Sequence, residues 1–170
     1  TTALLPVSAG RPQTASPVPV HASPVPDDPN GWTMFRGNAA RTGEAVTTGP
    51  AGAPALKWTF ETQSKVRLSP AIAGGTVYIN SYFQVRALDA ASCSEKWRFQ
   101  AADMVESCSP AVASGAVFIG DRAGALYAID AGTGSERWRF ESGAAIVSSP
   151  AVVDGTVYIG SETGTVFALD

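Results

Sequence analysis

The sequence has little histidine, cysteine and charge, and it has no long apolar run. One His and two Cys cannot supply a four-ligand zinc site from those residue types, nor a Ser/His/Asp triad inside the folded part. With 16% charged residues, a formal net charge of −3 and no run of Lys or Arg, the basic surface typical of nucleic-acid binding is missing. No stretch approaches the roughly 18 apolar residues of a membrane-spanning helix. These absences argue against a four-ligand zinc site of His and Cys, a Ser/His/Asp triad, nucleic-acid binding and a membrane span in this segment.

Glycine and proline are abundant, with 17 and 12 residues, and they predict short elements joined by turns. Seven of the prolines lie in residues 1–31, which contain no aromatic residue. We expect this range to be a disordered, extended linker, because it cannot bury a core. Alternatively, a proline-reading domain could bind the Pro-x-x-Pro spacing of Pro26 and Pro29. His21 is expected to be solvated.

The range 32–56 predicts an irregular lead-in segment. Trp32 and Phe35 are large apolar residues that we expect to pack on a larger body, and a loop rich in Gly and Pro follows at 47–54. The chain begins at Thr1 without an initiator Met, and its last residues have the pattern of a strand. We therefore expect a piece of a longer protein, whose leader or anchor would precede Thr1.

Residues 57–170 repeat with a period of roughly 40 residues. Ser-Pro-Ala occurs three times at intervals of 40, and a Val-aromatic-Ile tripeptide keeps the same spacing. A fixed period of this length, built from short strands and glycine turns, is typical of a β-propeller. The tripeptides begin at Ser69, Ser109 and Ser149 and at Val77, Val117 and Val157, and the matching tryptophans are Trp58, Trp97 and Trp138.

Each repeat predicts four short strands. We expect a Trp-x-Phe strand on the outside of each blade, with its Trp packed between blades, whereas the small residues of the Ser-Pro-Ala strand suit the innermost position. The Val-aromatic-Ile strand and an Ala-Leu-Tyr-Ala-Ile-Asp strand lie between them. The innermost strand is expected to turn through a type I′ pair with Gly second. These pairs are Gly74-Gly75, Ser114-Gly115 and Asp154-Gly155.

The predicted fold class is all-β, a partial β-propeller of four-stranded blades with about three repeats. The sequence supplies strands for two full blades, a third blade without its outer strand, and an orphan outer strand at 58–60. Because propellers close with about 4 to 8 blades, the ring is expected to be incomplete. Either the remaining blades of a longer parent chain or a homo-oligomer would then cover the open blade faces.

Two segments carry a family resemblance: SSPAVVDGTVYIGSETGTVFALD at 148–170 and AGALYAIDAGTGSERWRF at 123–140. Both resemble the pyrroloquinoline quinone (PQQ) type propeller repeat. WTMFRGNAARTG at 32–43 is similar to the segment that precedes the first blade in bacterial members. The resemblance implies a bacterial propeller that is periplasmic, at the cell surface or secreted. The family includes quinone-dependent alcohol and sugar dehydrogenases, an outer-membrane assembly lipoprotein that binds no quinone, and extracellular sensor domains of kinases.

The two cysteines differ from the pattern of the family's dehydrogenases, which pair an adjacent-Cys disulfide with a catalytic Asp and a calcium site of carboxylates and amides. Cys93 and Cys108 are 15 residues apart, and an outer strand separates them in the predicted strand order. About five strand residues at ~3.3 Å each exceed the ~7 Å that a disulfide can bridge. We therefore expect two free thiols.

Several acidic residues are candidate metal or ligand contacts. Asp89, Asp130 and Asp170 recur at one position of the repeat, where a carboxylate could bind a metal. In an Asp-x-x-Thr-Gly turn, however, we expect the carboxylate to accept local backbone N–H donors. Asp121 and Glu162 lie in loops at one end of the array. We expect them to be solvated loop tips, with a cation or ligand site as the alternative.

The first repeat is the least regular one. Its third strand and the loop before it are one residue shorter than in the second repeat. The loop 80–83 also places Tyr82 and Phe83 where the other repeats have polar residues. We expect these aromatic side chains to pack on the lead-in segment, with a binding surface as the alternative.

The sequence favours a non-catalytic, exported propeller module for binding or scaffolding, with no catalytic, cofactor-binding or metal-binding residue assigned in it. One alternative is a fragment of a PQQ-dependent dehydrogenase, whose catalytic residues lie outside this chain and which takes up PQQ and calcium. Another is the extracellular sensor domain of a bacterial membrane receptor or kinase, with the proline-rich stretch as its stalk. The partner would be a protein or a small ligand.

Overall fold

The computed structural model describes residues 31–37 and 52–170, and these residues form strands but no helix. Within these ranges no helix is long and apolar enough to cross a membrane. The strands form three sheets, here called blades 1, 2 and 3. Blade 1 contains β1 (Ala71–Ala73), β2 (Thr76–Ser81), β3 (Gln84–Asp89) and β4 (Glu95–Gln100). Blade 2 contains β5 (Ala111–Ala113), β6 (Ala116–Gly120), β7 (Ala125–Asp130) and β8 (Glu136–Glu141), and blade 3 contains β9 (Ala151–Val153), β10 (Thr156–Gly160) and β11 (Val166–Leu169).

Every blade is antiparallel, and its strands follow chain order from one edge to the other. The short strands β1, β5 and β9 lie next to one another, as the innermost strands of blades around an axis do. The Trp-x-Phe segments of β4 and β8 form the opposite, outer edges of blades 1 and 2. The prediction of an all-β, partial propeller with four-stranded blades is therefore confirmed.

The first two strands of each blade are joined by a type I′ turn. The twist of this turn type matches the twist of the flanking strands, but it needs positive φ at both central residues. The φ angles are 53° and 69° at Gly74 and Gly75, 49° and 70° at Ser114 and Gly115, and 50° and 84° at Asp154 and Gly155. The three predicted hairpins are confirmed.

The hydrophobic cores lie between successive blades. The first core joins blades 1 and 2 and includes Tyr78, Trp97 and Tyr127, and the second joins blades 2 and 3 around Phe118. Trp97 is 8% exposed, and its indole N–H donates to the carbonyl of Ala131 at 2.9 Å. The Trp of an outer strand thus packs between two blades, as predicted.

The Ser-Pro dipeptide precedes each inner strand and is not part of it, which corrects the predicted strand start. Each inner strand begins at the following Ala. Proline has no N–H to donate to a ladder, and the serine N–H groups bond elsewhere. The N–H of Ser69 donates to Ser109 Oγ at 3.2 Å, and the N–H of Ser109 donates to Ser149 Oγ at 2.9 Å. The dipeptides therefore link neighbouring blades near the axis.

Residues 58–60 are not a strand, so the prediction of an orphan outer strand is wrong. A strand needs a hydrogen-bonded neighbour, and the described sheets provide none beside this segment. The indole N–H of Trp58 nevertheless donates to the carbonyl of Ala90 at 3.0 Å, which matches the bond from Trp97 to Ala131. The segment therefore contacts blade 1 as β4 contacts blade 2.

Residues 31–37 pack against the inner strands. The N–H of Ile72 donates to the carbonyl of Trp32 at 2.6 Å, and the N–H of Val112 donates to the carbonyl of Thr33 at 2.7 Å. Met34 is 4% exposed and belongs to the core between blades 2 and 3. This part of the lead-in packs on a larger body, as predicted.

The predicted linker, except for Gly31, lies outside the described residues, together with His21, Pro26 and Pro29. Residues 38–51 of the lead-in also lie outside them. The division of the chain at 31/32 and at 56/57 stays a prediction.

Candidate functional site

The blades differ at one position on the face that each turns toward the preceding blade. In blade 2 the position holds Tyr127, whose ring lies 5.3 Å from that of Phe99 on β4. In blade 3 it holds Phe167, whose ring lies 5.3 Å from that of Phe140 on β8. The strand registers place Arg86 at this position in blade 1. A cation thus replaces an aromatic ring there.

Arg86 keeps the contact to a Phe but adds a polar network. Its Cζ lies 5.7 Å from the ring centroid of Phe60, in cation–π geometry. Its guanidinium donates to Glu95 Oε2 at 2.9 Å, to Gln84 Oε1, and to the carbonyl of Thr62 at 3.5 Å. Because the residue is 7% exposed, these contacts are weakly screened by solvent.

The carboxylate of Glu95 is shared by two arginines. Its Oε1 accepts from Arg98 Nη2 at 2.8 Å and from Arg98 Nε at 3.1 Å, while its Oε2 bonds to Arg86. Two guanidinium groups and one carboxylate leave this cluster with one positive charge in excess. The cluster favours an additional anion.

A cleft of about 230 Å³ lies beside this cluster, next to the loop that joins β2 to β3. Ser81 and Arg86 line it and are 2% and 7% exposed. Ser81 Oγ and Arg86 Nε are the two buried side-chain polar atoms without a hydrogen-bond partner in the described part of the chain. Buried polar groups are almost always paired in folded proteins. Both residues line the cleft, but these two atoms have almost no solvent-accessible surface of their own.

The loop 80–83 forms part of this cleft. Tyr82 is 46% exposed with φ of 53°, and its ring lies 4.2 Å from that of Phe83 in an edge-on arrangement. Residues 62–64 also line the cleft, whereas residues 31–37 pack at the inner strands. Both the expected packing of these aromatic side chains on the lead-in and their alternative role as a binding surface stay predictions.

Asp121 is buried, which corrects the prediction of a solvated loop tip. It is 0% exposed, and its Oδ1 accepts from the N–H groups of Gly124 at 2.9 Å and Ala125 at 2.8 Å. Its Oδ2 accepts from the hydroxyl of Tyr127 at 2.8 Å. A buried carboxylate needs such donors, and the short loop supplies them. Glu162, in contrast, is exposed as predicted.

The recurring aspartates Asp89 and Asp130 accept hydrogen bonds within the turns that they begin. In both, Oδ1 accepts the backbone N–H groups two and three residues further on, at 2.8–3.1 Å. The hydrogen bonds from Ser92 and Ala91 lower the pKa of Asp89 to about 2. Asp170 accepts from Thr156 Oγ1 at 3.0 Å. The prediction of local N–H acceptors is confirmed for Asp89 and Asp130.

Both cysteines are free thiols, as predicted. Cys108 Sγ lies 3.1 Å from the carbonyl oxygen and 3.2 Å from the N–H nitrogen of Gly120. In the next repeat, Ser148 Oγ makes the same two contacts with Gly160, at 3.0 and 2.7 Å. Burial raises the pKa of Cys108 to about 12. This thiol is a structural group that bridges two segments.

Comparison with known protein families assigns the chain to one of them. Residues 83–170, just over half of its length, match the model of a PQQ-repeat family that is described as outer membrane protein assembly factor BamB. The chain belongs to this family. It is a PQQ-type β-propeller repeat module. A comparison with curated proteins finds no match.

Solved structures of two kinds resemble this PQQ-repeat module. A europium-containing methanol dehydrogenase is 25% identical with a TM-score of 0.70, over 86% of this chain and 31% of its own. The quinohemoprotein alcohol dehydrogenase ADHIIG from Pseudomonas putida HK5 is 26% identical with a TM-score of 0.73, over 84% of this chain and 25% of its own. BamB from Moraxella catarrhalis is 26% identical with a TM-score of 0.58, over 67% of this chain and 36% of its own. The chain thus spans about a third or less of these relatives.

The PQQ-repeat family includes quinone enzymes, but the described residues do not fit a quinone and calcium site. Cys93 and Cys108 are separate thiols, and the carboxylates of Asp89, Asp121 and Asp130 accept local hydrogen bonds. In the part of the chain that the structure describes, no group of three or more His, Cys, Asp or Glu side chains is placed to hold a metal ion.

The sequence singled out the loop 80–83, which contains Ser81, for its aromatic residues alone, and it did not point to Arg86. A signal was present, since aligning the first two repeats with a one-residue gap places Arg86 opposite Tyr127 and Ser81 opposite Asp121. The repeat pattern draws attention to positions that recur, whereas this site depends on positions that differ.

Proposed function

We propose that this PQQ-repeat module is non-catalytic and serves for binding or scaffolding in an exported β-propeller, located in the periplasm, at the cell surface or outside the cell. The observation that carries the proposal is the use of its buried carboxylates. Asp121 is 0% exposed and accepts three hydrogen bonds from its own blade, so its carboxylate holds the loop in place and is shielded from a substrate.

The comparisons support a binding role through one relative. BamB is named as an assembly factor for outer membrane proteins and matches this chain over residues 83–170. The partner of the present chain would be a protein or a small ligand. The chain itself has a net charge of −3, which argues against nucleic acid as the partner.

A second candidate function is a portion of a PQQ-dependent dehydrogenase. The likeness to methanol and alcohol dehydrogenases, with TM-scores of 0.70 and 0.73, favours it. In that case the residues that hold quinone and calcium would come from outside the described part of the chain.

Quinone uptake separates the two functions. The chain and the whole gene product would be titrated with PQQ and Ca²⁺. Tryptophan fluorescence reports binding, and alcohol-dependent dye reduction reports activity. The positive control is a PQQ-dependent alcohol dehydrogenase from which the quinone has been removed. We expect no saturable quenching and no dye reduction. Stoichiometric uptake of PQQ with dye reduction would contradict the binding role and establish the enzyme.

A further inference from the structure

Blade 3 exposes an edge that blades 1 and 2 cover with their outer strands. In the described part of the chain no fourth strand lies beside β11. Val166 on β11 is 75% exposed, whereas Val85 and Leu126, which have the same strand position in blades 1 and 2, are 0% exposed. Blade 3 therefore presents an apolar edge that can accept an outer strand.

An aromatic pair covers the same face of blades 1 and 2. The rings of Tyr78 and Trp97 lie 5.9 Å apart in blade 1, and the rings of Phe118 and Trp138 lie 5.8 Å apart in blade 2. Tyr158 has the position of Tyr78 and Phe118 in blade 3, but it is 44% exposed and has no ring contact within the described ranges. Blade 3 thus holds half of this pair and lacks the Trp.

An ion pair joins the last two strands of blades 1 and 2. Lys96 Nζ lies 3.4 Å from Asp89 Oδ2, and Arg137 Nη2 lies 2.8 Å from Asp130 Oδ2. Each cation comes one residue before the Trp of its outer strand. Asp170 has the matching position in blade 3, is exposed, and has no cationic partner among the described residues. Blade 3 therefore also lacks a cation beside a Trp.

Residues 57–61 contain the groups that blade 3 lacks. Their sequence is KWTFE, in which an exposed Lys57 comes directly before Trp58 and Phe60 follows two residues later. The segment already docks on blade 1 through its side chains, as β4 docks on blade 2. Its backbone forms no ladder with any described strand, so its N–H and C=O groups can pair with the edge of another sheet.

We propose that two copies of this chain associate head to tail, so that residues 57–61 of each copy form the outer strand of blade 3 in the other. The register of blades 1 and 2 then places Trp58 of one copy opposite Ala168 of the other. Phe60 lies opposite Val166 and covers it.

The same register completes the aromatic pair and the ion pair of blade 3. Trp58 of one copy packs on Tyr158 of the other, and Lys57 reaches the carboxylate of Asp170. Both complementary surfaces belong to one chain, which favours a second copy as the occupant over an unrelated protein. This inference names a partner for the proposed binding or scaffolding function and rests on it.

The number of blades favours a dimer. Two copies of three blades form a ring of six, within the range of about 4 to 8 blades in which propellers close, whereas three copies would exceed it. The two head-to-tail contacts are identical, so twofold symmetry closes the ring.

The first test measures the mass of the full 170-residue chain by light scattering after gel filtration. We expect the mass of two chains, falling to that of one chain on dilution. A monomer at every concentration overturns the proposal. Chains that keep lengthening as the concentration rises also overturn it, because they show an open array instead of a ring.

The second test checks the register with disulfides in a Cys93→Ser, Cys108→Ser background. Glu61→Cys and Thr165→Cys chains are mixed, so a bond between these positions can form only between copies. The matching positions in blades 1 and 2 are directly opposite each other. Thr59→Cys mixed with Thr165→Cys is the control, because diagonal neighbours lie ~7–8 Å apart, beyond the ~3.5–4.5 Å between the Cβ atoms of a disulfide. We expect the first disulfide to predominate by mass spectrometry, and equal yields overturn the register.

The third test changes Tyr158, whose side chain has no ring contact within its own described chain. Tyr158→Ala should raise the dissociation constant of the dimer about tenfold or more, because it removes the surface on which Trp58 packs. Tyr158→Phe is the matched control and should leave the constant nearly unchanged, since blade 2 uses Phe118 against Trp138. Circular dichroism checks that both variants are folded. Equal dissociation constants for the two variants overturn the contact.

The dimer and the proposed function can fail separately. Light scattering and disulfide mapping read self-association, whereas dye reduction reads quinone-dependent activity. Uptake of PQQ with dye reduction by an intact dimer would remove the binding function and leave the association in place. A monomer that takes up no PQQ would remove only the dimer.

Discussion

The indole N–H of Trp58 donates to the carbonyl of Ala90 at 3.0 Å, although Trp58 belongs to no strand. Trp97, which lies in β4, makes the same bond to Ala131 at 2.9 Å. The aromatic partner two residues on is also matched, because Phe60 contacts Arg86 and Phe99 contacts Tyr127. Side-chain docking on the next blade thus occurs without pairing in a sheet.

We expect Trp58→Phe to lower the free energy of unfolding by about 1 kcal/mol, because it removes the hydrogen bond to Ala90 and keeps an aromatic ring. Trp97→Phe should cost more, since Trp97 is 8% exposed and its loss also leaves a cavity between the blades. Urea denaturation followed by circular dichroism measures both values. Equal costs for the two variants would show that packing at Trp97 adds nothing.

Two features favour glycine at position 134: a positive φ and the close approach of the Trp97 ring. Its φ is 76°, and a Cβ there would lie 2.7 Å from Cδ2 of Trp97. Gly134→Ala should therefore lower the free energy of unfolding by roughly 3 kcal/mol, from backbone strain and overpacking together. Gly155→Ala is the control, because its φ is 84° but nothing lies within 4 Å of the added Cβ. We expect a cost of about 1 kcal/mol there in thermal or urea unfolding, and an equal cost at both sites would contradict the contact with Trp97.

Cys108 should tolerate serine but not alanine. Ser148 makes the same two contacts with Gly160 that Cys108 makes with Gly120, so Cys108→Ser should change the free energy of unfolding by less than about 1 kcal/mol. Cys108→Ala leaves the buried groups of Gly120 without a partner and should cost about 2 kcal/mol. Chemical denaturation distinguishes the variants.

The thiol of Cys108 should also be unreactive in the folded protein. Burial raises its pKa to about 12, so little thiolate forms at pH 8. We expect iodoacetamide to label Cys93 alone in native protein and both thiols in denaturant, as read by mass spectrometry. Rapid native labelling of Cys108 would contradict its buried place between blades.

Acid should destabilise the protein in the pH range where Asp89 titrates. Folding lowers the pKa of Asp89 from 3.8 to about 2 through the Ser92 and Ala91 hydrogen bonds, so its contribution is complete above about pH 5 and is lost as the pH falls toward 2. Asp89→Asn retains an acceptor oxygen in the turn but removes the titration. Urea denaturation at pH 2 to 5 should show a shallower pH dependence in this variant, and an unchanged slope would contradict the assignment.

The repeat made much of the fold predictable. The Trp, Ser-Pro-Ala and Val-aromatic-Ile spacings predicted the blades, and the Gly-containing pairs predicted the type I′ turns, because positive φ is a local requirement of the chain. The local acceptor role of Asp89 and Asp130 followed from the turn sequence for the same reason. Whether residues 58–60 form a strand could not be predicted from local sequence, because a strand needs a hydrogen-bonded neighbour.

The sequence by itself determined the repeat, its turns and the order of its strands, since these depend on backbone preferences and on apolar alternation within a short stretch of chain. Only the tertiary structure decided that Asp121 is buried against Tyr127, and that Arg86 and Ser81 line one cleft and each have one buried polar atom without a hydrogen-bond partner. Burial and hydrogen-bond partners arise from contacts between blades and between strands of one blade. Such contacts join residues that are distant in the sequence, so they cannot be read from the identity of one residue and its chain neighbours.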